Sequence, residues 1–392
     1  MHARDPSFYL LSNADVFAPE PLGLSHVLVC GGRIAWIGAE APSLPAALGV
    51  ETRDLEGRRL IPGLIDCHAH LTGGGGETGY ETRVPPVALS RFTSAGITSV
   101  VGVLGTDDVT RNTAALVATA RGLEAEGLSA WCYTGGYHVP PVTLTGSVRS
   151  DIVFIDRVLG VGEIAISDHR SSQPTLDELL RIAGDAHVAG IMTGKAGTLH
   201  LHVGDGARGL ELIRQALRTA EIPARVYHPT HVNRRRALFQ EALELARQGC
   251  TIDVTAFPTT AGDEWSAADA WRRYSEADLA PERLTISSDG GGCLPVFDVE
   301  GRPTGMEVGK PRSLADALRE LLASGCEPAQ VLPAFTSNVA RLLRLQGKGR
   351  VAAGADADLV VLDREHRVHD VMARGRWHVM NGRPVVRGTF ED

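Results

Sequence analysis

The sequence predicts a (β/α)8 barrel with a small β-sandwich domain built from both chain termini. Three observations carry that reading. Over residues 61–347, eight apolar strand-like runs alternate with helical stretches. Over residues 1–60 and 348–392, short strands follow one another across turns, with no helical periodicity between them. Side chains able to bind metal recur where the central runs end, and a barrel keeps its chemistry on that rim.

From the N-terminus, residues 9–12, 14–17, 26–30, 31–38 and 51–56 read as short strands, with Gly31-Gly32 as a hairpin turn. The stretch Leu60-Ile-Pro-Gly-Leu-Ile-Asp66-Cys-His68-Ala-His70 is an apolar run ending in two imidazoles. At i and i+2, strand periodicity points both to one side. Later runs cover residues 98–104, 130–133, 161–166, 198–202, 225–228, 251–254 and 284–288. Helical patterns at 109–126, 176–189, 210–220, 235–248 and 313–324 lie between or after them. Gly354-Ala-Asp-Ala-Asp358 then leads into the strand-like 359–362, and strands around Asn381-Gly382 complete the terminal domain. A doubly wound open sheet is the competitor; eight units without a phosphate-binding glycine fingerprint disfavour it.

Composition narrows the function. A chain of 392 residues with 43% hydrophobic and 22% charged residues can bury a large core and is ordinary for a globular protein. A net charge of -8, with no basic run, gives no footprint for nucleic acid or membrane. Six scattered cysteines without C-x-x-C read as reduced thiols. With no signal-like opening and no run of about 18 apolar residues, the expected location is the cytoplasm.

The candidate ligands are His68 and His70 on strand one, Glu163 on strand four, His202 on strand five, His231 after strand six and Asp289 after strand eight. Neutral imidazoles with carboxylates suit zinc, and the set is large enough for two ions with a bridging anion. His200 shares a face with His202, and the residue nearer the rim is preferred as ligand. His228 or His231 could ligate; the one just past the strand end is better placed. Asp66 and Asp168-His169 read as groups orienting ligands. Glu264, Asp269 and the acidic residues of 276–282 read as solvated surface charge.

These motifs, with the closing Gly354-Ala-Asp-Ala-Asp358-Leu-Val-Val-Leu, resemble the amidohydrolase superfamily. More narrowly, Gly73-Gly-Gly-Gly-Glu77, Leu104-Gly-Thr106-Asp107, Gly135-Gly-Tyr137, Ala165-Ile-Ser-Asp168-His-Arg170 and His231-Val-Asn233-Arg234 resemble the isoaspartyl dipeptidases, which cleave β-aspartyl dipeptides. The resemblance implies that His68, His70 and Asp289 hold one metal and His202 and His231 the other. It also implies Asp289 as proton carrier, Tyr137 as the group polarising the carbonyl, and Glu77 as anchor for the substrate ammonium. Arg170 and Arg234 would clamp one carboxylate, and Thr106 with amides near Gly75 the other. A substrate with one ammonium and two carboxylates suits this pattern, since arginine can grip a carboxylate through two parallel hydrogen bonds. A homo-oligomer is implied too.

Two positions depart from the family. Many members bridge the metals with a carboxylated lysine on strand four, where this chain has Glu163. Its three lysines, Lys195, Lys310 and Lys348, lie away from the strand ends. A glutamate offers two oxygens but a shorter arm, so the backbone must come closer. Cys293 stands where the family uses a serine to hold the leaving-group carboxylate, and a thiol is the weaker donor. The expected activity is hydrolysis of β-aspartyl dipeptides to aspartate and a free amino acid, with two zinc ions, a metal-bridging hydroxide as nucleophile and Glu163 between the ions. Alternatives are a related amidohydrolase acting on another N-acyl amino acid or cyclic amide, and a metal-binding homologue without turnover.

Overall fold

The computed structural model describes residues 8–258, 262–297 and 303–392. Six parallel strands form a curved sheet in sequential order: strand 1 (Leu64–Ala69), strand 2 (Ile97–Gly102), strand 3 (Ser129–Thr134), strand 4 (Val158–Ile166), strand 5 (Thr198–Val203) and strand 6 (Tyr227–Thr230). Strand 7 (Ile252–Thr255) pairs in parallel with strand 8 (Leu284–Ser287) and packs beside strand 6. Closure between strands 8 and 1 is made by backbone bonds just past strand 8, where Asp289 N–H donates to His68 (3.1 Å) and His70 N–H to Gly290 (2.8 Å). The barrel therefore closes at the same few residues that carry the candidate ligands. Barrel strands buried on both faces read as continuous apolar runs, as strands 1, 2, 4 and 5 do along their whole length.

Helices pack outside the barrel, and their start points have local causes. The helical pattern read at 109–126 begins only at Thr113, because Asp107 Oδ1 accepts from the Thr110 N–H (2.8 Å) and the Asn112 side chain accepts from Ala115 N–H. These local bonds hold residues 107–112 as a turn and cap the helix that follows. Helix Leu176–Thr193 starts at a Thr175/Glu178 capping box and runs four residues beyond its apolar pattern, to Gly194 in the left-handed conformation.

A second sheet draws on both ends of the chain. Among the described residues its nine strands include Phe8–Phe17, Pro21–Cys30, Arg33–Gly38 and Arg59–Pro62 from the N-terminal part and Leu359–Leu362, Val368–Ala373 and Arg376–Met380 from the C-terminal part. The two parts meet where Leu359–Leu362 runs antiparallel to Arg59–Pro62. Buried Lys348 ties this sheet region to strand 3: its ammonium donates to Ser129 Oγ (2.7 Å) and to Asp358. Lys195 precedes strand 5 and donates to the carbonyls of Ile152 and Ile155. Neither lysine approaches the barrel rim. Among the described residues, no helix is long and apolar enough to cross a membrane.

One element was not foreseen. After strand 8, Cys293–Phe297 and Pro303–Val308 form an antiparallel pair, with Cys293 opposite Val308.

Candidate metal centre and substrate cavity

The C-terminal ends of the strands bring six side chains together. His68 Nε2 lies 3.4 Å from Asp289 Oδ1 and 3.6 Å from Glu163 Oε2. His70 Nε2 lies 3.1 Å from Asp289 Oδ1 and 3.5 Å from Glu163 Oε1. Across the carboxylate, His202 Nδ1 and His231 Nε2 stand 3.2 and 3.6 Å from Glu163 Oε2. All six residues are buried.

Ligand atoms about 2.0–2.2 Å from one tetrahedral ion stand roughly 3.4 Å apart, so this spacing fits shared cations. The hydrogen bonding agrees. Among the described residues, His68 Nε2, Glu163 Oε1 and Asp289 Oδ1 are buried without a hydrogen-bond partner. Such orphans are rare in native interiors and call for an explanation. Three overlapping groups satisfy the spacing of a metal site: His68–His70–Glu163, His68–His231–Asp289 and Glu163–His202–His231.

Local structure aims each ligand. His68 and His70 follow the pleat of strand 1. Glu163 sits inside strand 4 rather than at its end, and the register against strand 5 slips between Leu199↔Val161 and Leu201↔Ile164. That bulge turns Glu163 inward, as bulges beside active sites do. Gly162 makes it possible: its φ is +152, and a Cβ there would fall 2.6 Å from the His200 carbonyl oxygen. His231 and Asp289 adopt φ +61 and +52 just past strands 6 and 8. Side chains rarely accept this left-handed backbone, which concentrates where a site demands it.

Outer partners set the imidazole tautomers. Asp168 Oδ2 faces His202 Nε2 at 2.9 Å, which leaves Nδ1 turned to Glu163. Thr255 Oγ1 faces His231 Nδ1 at 2.7 Å. Asp66 fixes the backbone rather than a ring, accepting from the main-chain N–H of His68 at 3.3 Å and from the Ser288 N–H and hydroxyl. Burial alone would raise the carboxyls of Glu163 and Asp289. The surrounding histidines reverse that and hold both well below the carboxylate range. Burial pushes Tyr137 well above the usual phenol range, with the charge of Glu163 adding to it, so its O–H stays intact. That oxygen lies 2.7 Å from His202 Nδ1.

Over this cluster opens a cavity of about 290 Å³. Its wall includes Gly75, Glu77, Thr106, Arg170, Arg234 and Cys293. Glu77 Oε1 accepts from Thr106 Oγ1 (2.5 Å) and Arg170 (2.9 Å), while Oε2 is buried with no partner among the described residues. Arg170 is also gripped by Asp168 through two bonds of 3.0 and 2.7 Å, and its guanidinium lies 5.5 Å from the Tyr137 ring centre. Arg234 donates to the Val203 carbonyl (3.0 Å) and stands 3.6 Å from Asp205. Cys293 packs by Gly75, and burial with the negative Glu77 pushes its thiol up to about 12. Of the residues singled out from the sequence, Arg170 and Glu77 are joined to each other rather than standing as separate anchors.

Sequence reading missed part of the wall. Phe257 lies just past strand 7, so the strand-end rule could have found it. Leu294 and Glu307 come from the unforeseen hairpin. Glu264, expected as solvated surface charge, is half-buried and lines the cavity. Asp269 does sit on a helix surface, pairing with Arg272.

Residues 59–378 match the Amidohydrolase family. The chain is similar to a beta-aspartyl dipeptidase of Fervidobacterium islandicum AW-1, solved in complex with beta-Asp-Leu dipeptide, at 44% identity over 97% of this chain and 98% of that one, with a TM-score of 0.92. The imidazolonepropionase of Ruegeria sp. (strain TM1040) is 27% identical over 91% of this chain and 92% of its own length. A dihydropyrimidinase of Brevibacillus agri NCHU1002 shares the fold, with a TM-score of 0.66 at 16% identity over 97% of each chain. The barrel, the terminal β-sandwich and the cluster of histidines and carboxylates on the rim thus have one origin: the chain belongs to the amidohydrolase family.

Proposed function

We propose that the protein hydrolyses β-aspartyl dipeptides to aspartate and a free amino acid at a binuclear zinc centre. The observation that carries this reading is the pattern of charge around the cavity, set against 44% identity to a beta-aspartyl dipeptidase. A β-aspartyl dipeptide has one ammonium and two carboxylates. The unpartnered Glu77 Oε2 suits the ammonium, and Arg170 and Arg234 with Thr106 and the Gly75 loop suit the carboxylates. Cys293 would help hold the leaving residue.

His68, His70 and Asp289 would hold one ion and His202 and His231 the other, with Glu163 between them in place of a carboxylated lysine. Such ions lower the pKa of bound water toward neutrality and polarise a carbonyl. Asp289 accepts the proton of the attacking water and hands it to the departing amine. His202 would hold an ion, and the Tyr137 O–H beside it, 2.7 Å from His202 Nδ1, would donate to the developing oxyanion. Arg170 and Glu77, already joined, fix the aspartyl end so that the side-chain amide rather than an α-amide meets the water.

A related amidohydrolase acting on a cyclic amide is the second reading; an uncharged ring would bring no charge to meet Glu77 Oε2 or the two arginines on the cavity wall. Turnover of β-Asp-Leu against α-Asp-Leu by the zinc-loaded enzyme decides between them. A strong preference for the β linkage is expected, and equal turnover, or none of either, rejects the assignment.

A further inference from the structure

Beneath the rim lies a second buried cluster with metal-site spacing, Cys67–His228–Asp253. Its centre is filled. The His228 Nε2 meets Thr285 Oγ1 at 3.0 Å, and that hydroxyl donates to Asp253 Oδ1 at 2.6 Å. Cys67 donates to the same carboxylate oxygen at 3.3 Å, and Thr230 and Ser287 donate to the other at 2.7 and 2.6 Å. None of these atoms is without a partner, so a cation has nothing to satisfy here.

The cluster connects upward instead. His228 Nδ1 faces His200 Nδ1 at 2.9 Å, and His200 Nε2 faces His68 Nδ1 at 2.7 Å. The His200 ring also stacks on Tyr133, with centroids 5.0 Å apart and planes at 18°. His68, His200, His228, Thr285 and Asp253 are all fully buried.

A neutral imidazole has one donor and one acceptor. For His68 to offer Nε2 to a cation, Nδ1 must carry the proton and donate it to His200 Nε2. His200 then donates from Nδ1 to His228, whose Nδ1 at 2.9 Å and carbonyl oxygen at 3.1 Å can share that proton, so that His228 Nδ1 must be an acceptor. His228 in turn donates from Nε2 to Thr285, which donates to Asp253. Each link fixes the next, with a cation at one end and a carboxylate at the other. We propose that His200, His228, Thr285 and Asp253 are positioning residues, a buried hydrogen-bonded rod that locks His68 as the Nδ1–H tautomer and strengthens cation binding on its side of the centre. The proposal rests on the metal-centre reading above.

Zn2+ titrated into the metal-free full chain against a chromophoric chelator tests it, with Tm recorded for each variant. Wild type takes up two ions. Thr285→Val, which keeps the shape and removes the hydroxyl, is expected to weaken one of the two sites by up to about 10-fold, less than the 10–100-fold cost of losing a direct partner of a metal-binding histidine, because Thr285 acts through His228 and His200. Thr285→Ser restores it. In 15N spectra of the zinc-loaded protein, the His228 ring carries its proton on Nε2 in wild type and loses that preference in Thr285→Val. Wild-type affinity at both sites in a folded Thr285→Val, or equal weakening by valine and serine, overturns the rod. A wild type that binds no Zn2+ overturns the metal-centre reading instead. Should Thr285→Val fail to fold, His228→Gln, whose amide can accept and donate along the same line, is compared with His228→Leu: weakening in leucine alone supports the rod, and equal affinities overturn it.

Discussion

Two groups of buried histidines and acids share the barrel interior, and they differ in one respect. Among the described residues, His68 Nε2, Glu163 Oε1 and Asp289 Oδ1 at the rim lack partners; some way below, Cys67, His228 and Asp253 are fully hydrogen-bonded around Thr285. Residue types and burial are alike in both. Burial of metal-binding residue types therefore does not mark a metal site; a shared deficit of partners does. An unsatisfied buried polar group costs about 1–3 kcal/mol, so the rim holds a local instability that a ligand would offset, whereas the lower cluster is already part of the stable interior.

Substitutions can sharpen this contrast. The largest effect is expected where the rim meets the substrate: Tyr137→Phe should lower kcat by about 10²–10³-fold with KM little changed, as for loss of one oxyanion donor, and steady-state kinetics on β-Asp-Leu would show it. A KM effect alone would return Tyr137 to a packing role. Next comes Arg234→Met, expected to raise KM by about 10–100-fold through loss of a charge-assisted bond. Among the described residues the Arg234 side chain meets the protein only at the Val203 carbonyl (3.0 Å) and the exposed Asp205 (3.6 Å), so the fold should tolerate the change.

The smallest effect is on acid stability of the metal-free protein, and it reads the lower cluster. Burial holds His228 down at about 4 against 6.5 for a free imidazole. Between these values the unfolded chain binds more protons than the folded one, so stability rises with pH and is lost as pH falls from 6.5 toward 4. His68 acts in another window: burial alone would lower it, but Glu163 and Asp289 raise it to about 9, so its contribution is full below 6.5 and fades as pH climbs through 9. Tm should therefore drop by a few degrees on acidification, and His228→Gln should flatten that slope. An unchanged slope would mean that His228 already titrates normally.

The alternation of runs and helices placed every barrel strand, and the strand-end rule placed His68, His70, His202, His231 and Asp289 on one rim, because an apolar run and its polar terminus are both local signals. What the sequence left hidden depends on pairing between distant segments. The Glu163 bulge exists only in the register of strand 4 against strand 5, and the Cys293–Phe297/Pro303–Val308 hairpin lacks the alternation that marks a strand. Glu264 looked like surface charge because it lies outside any strand end, yet chain packing carries it to the cavity wall. The pairing of Arg170 with Glu77, 93 residues apart, was equally invisible.

Glu163 is the residue on which both ions would depend. Metal analysis of purified, folded Glu163→Ala beside wild type measures its role directly. Two ions per wild-type chain and fewer than two in the variant are predicted, with activity reduced further than the 10–100-fold typical of an outer partner. Two ions retained per chain of Glu163→Ala would contradict the bridge.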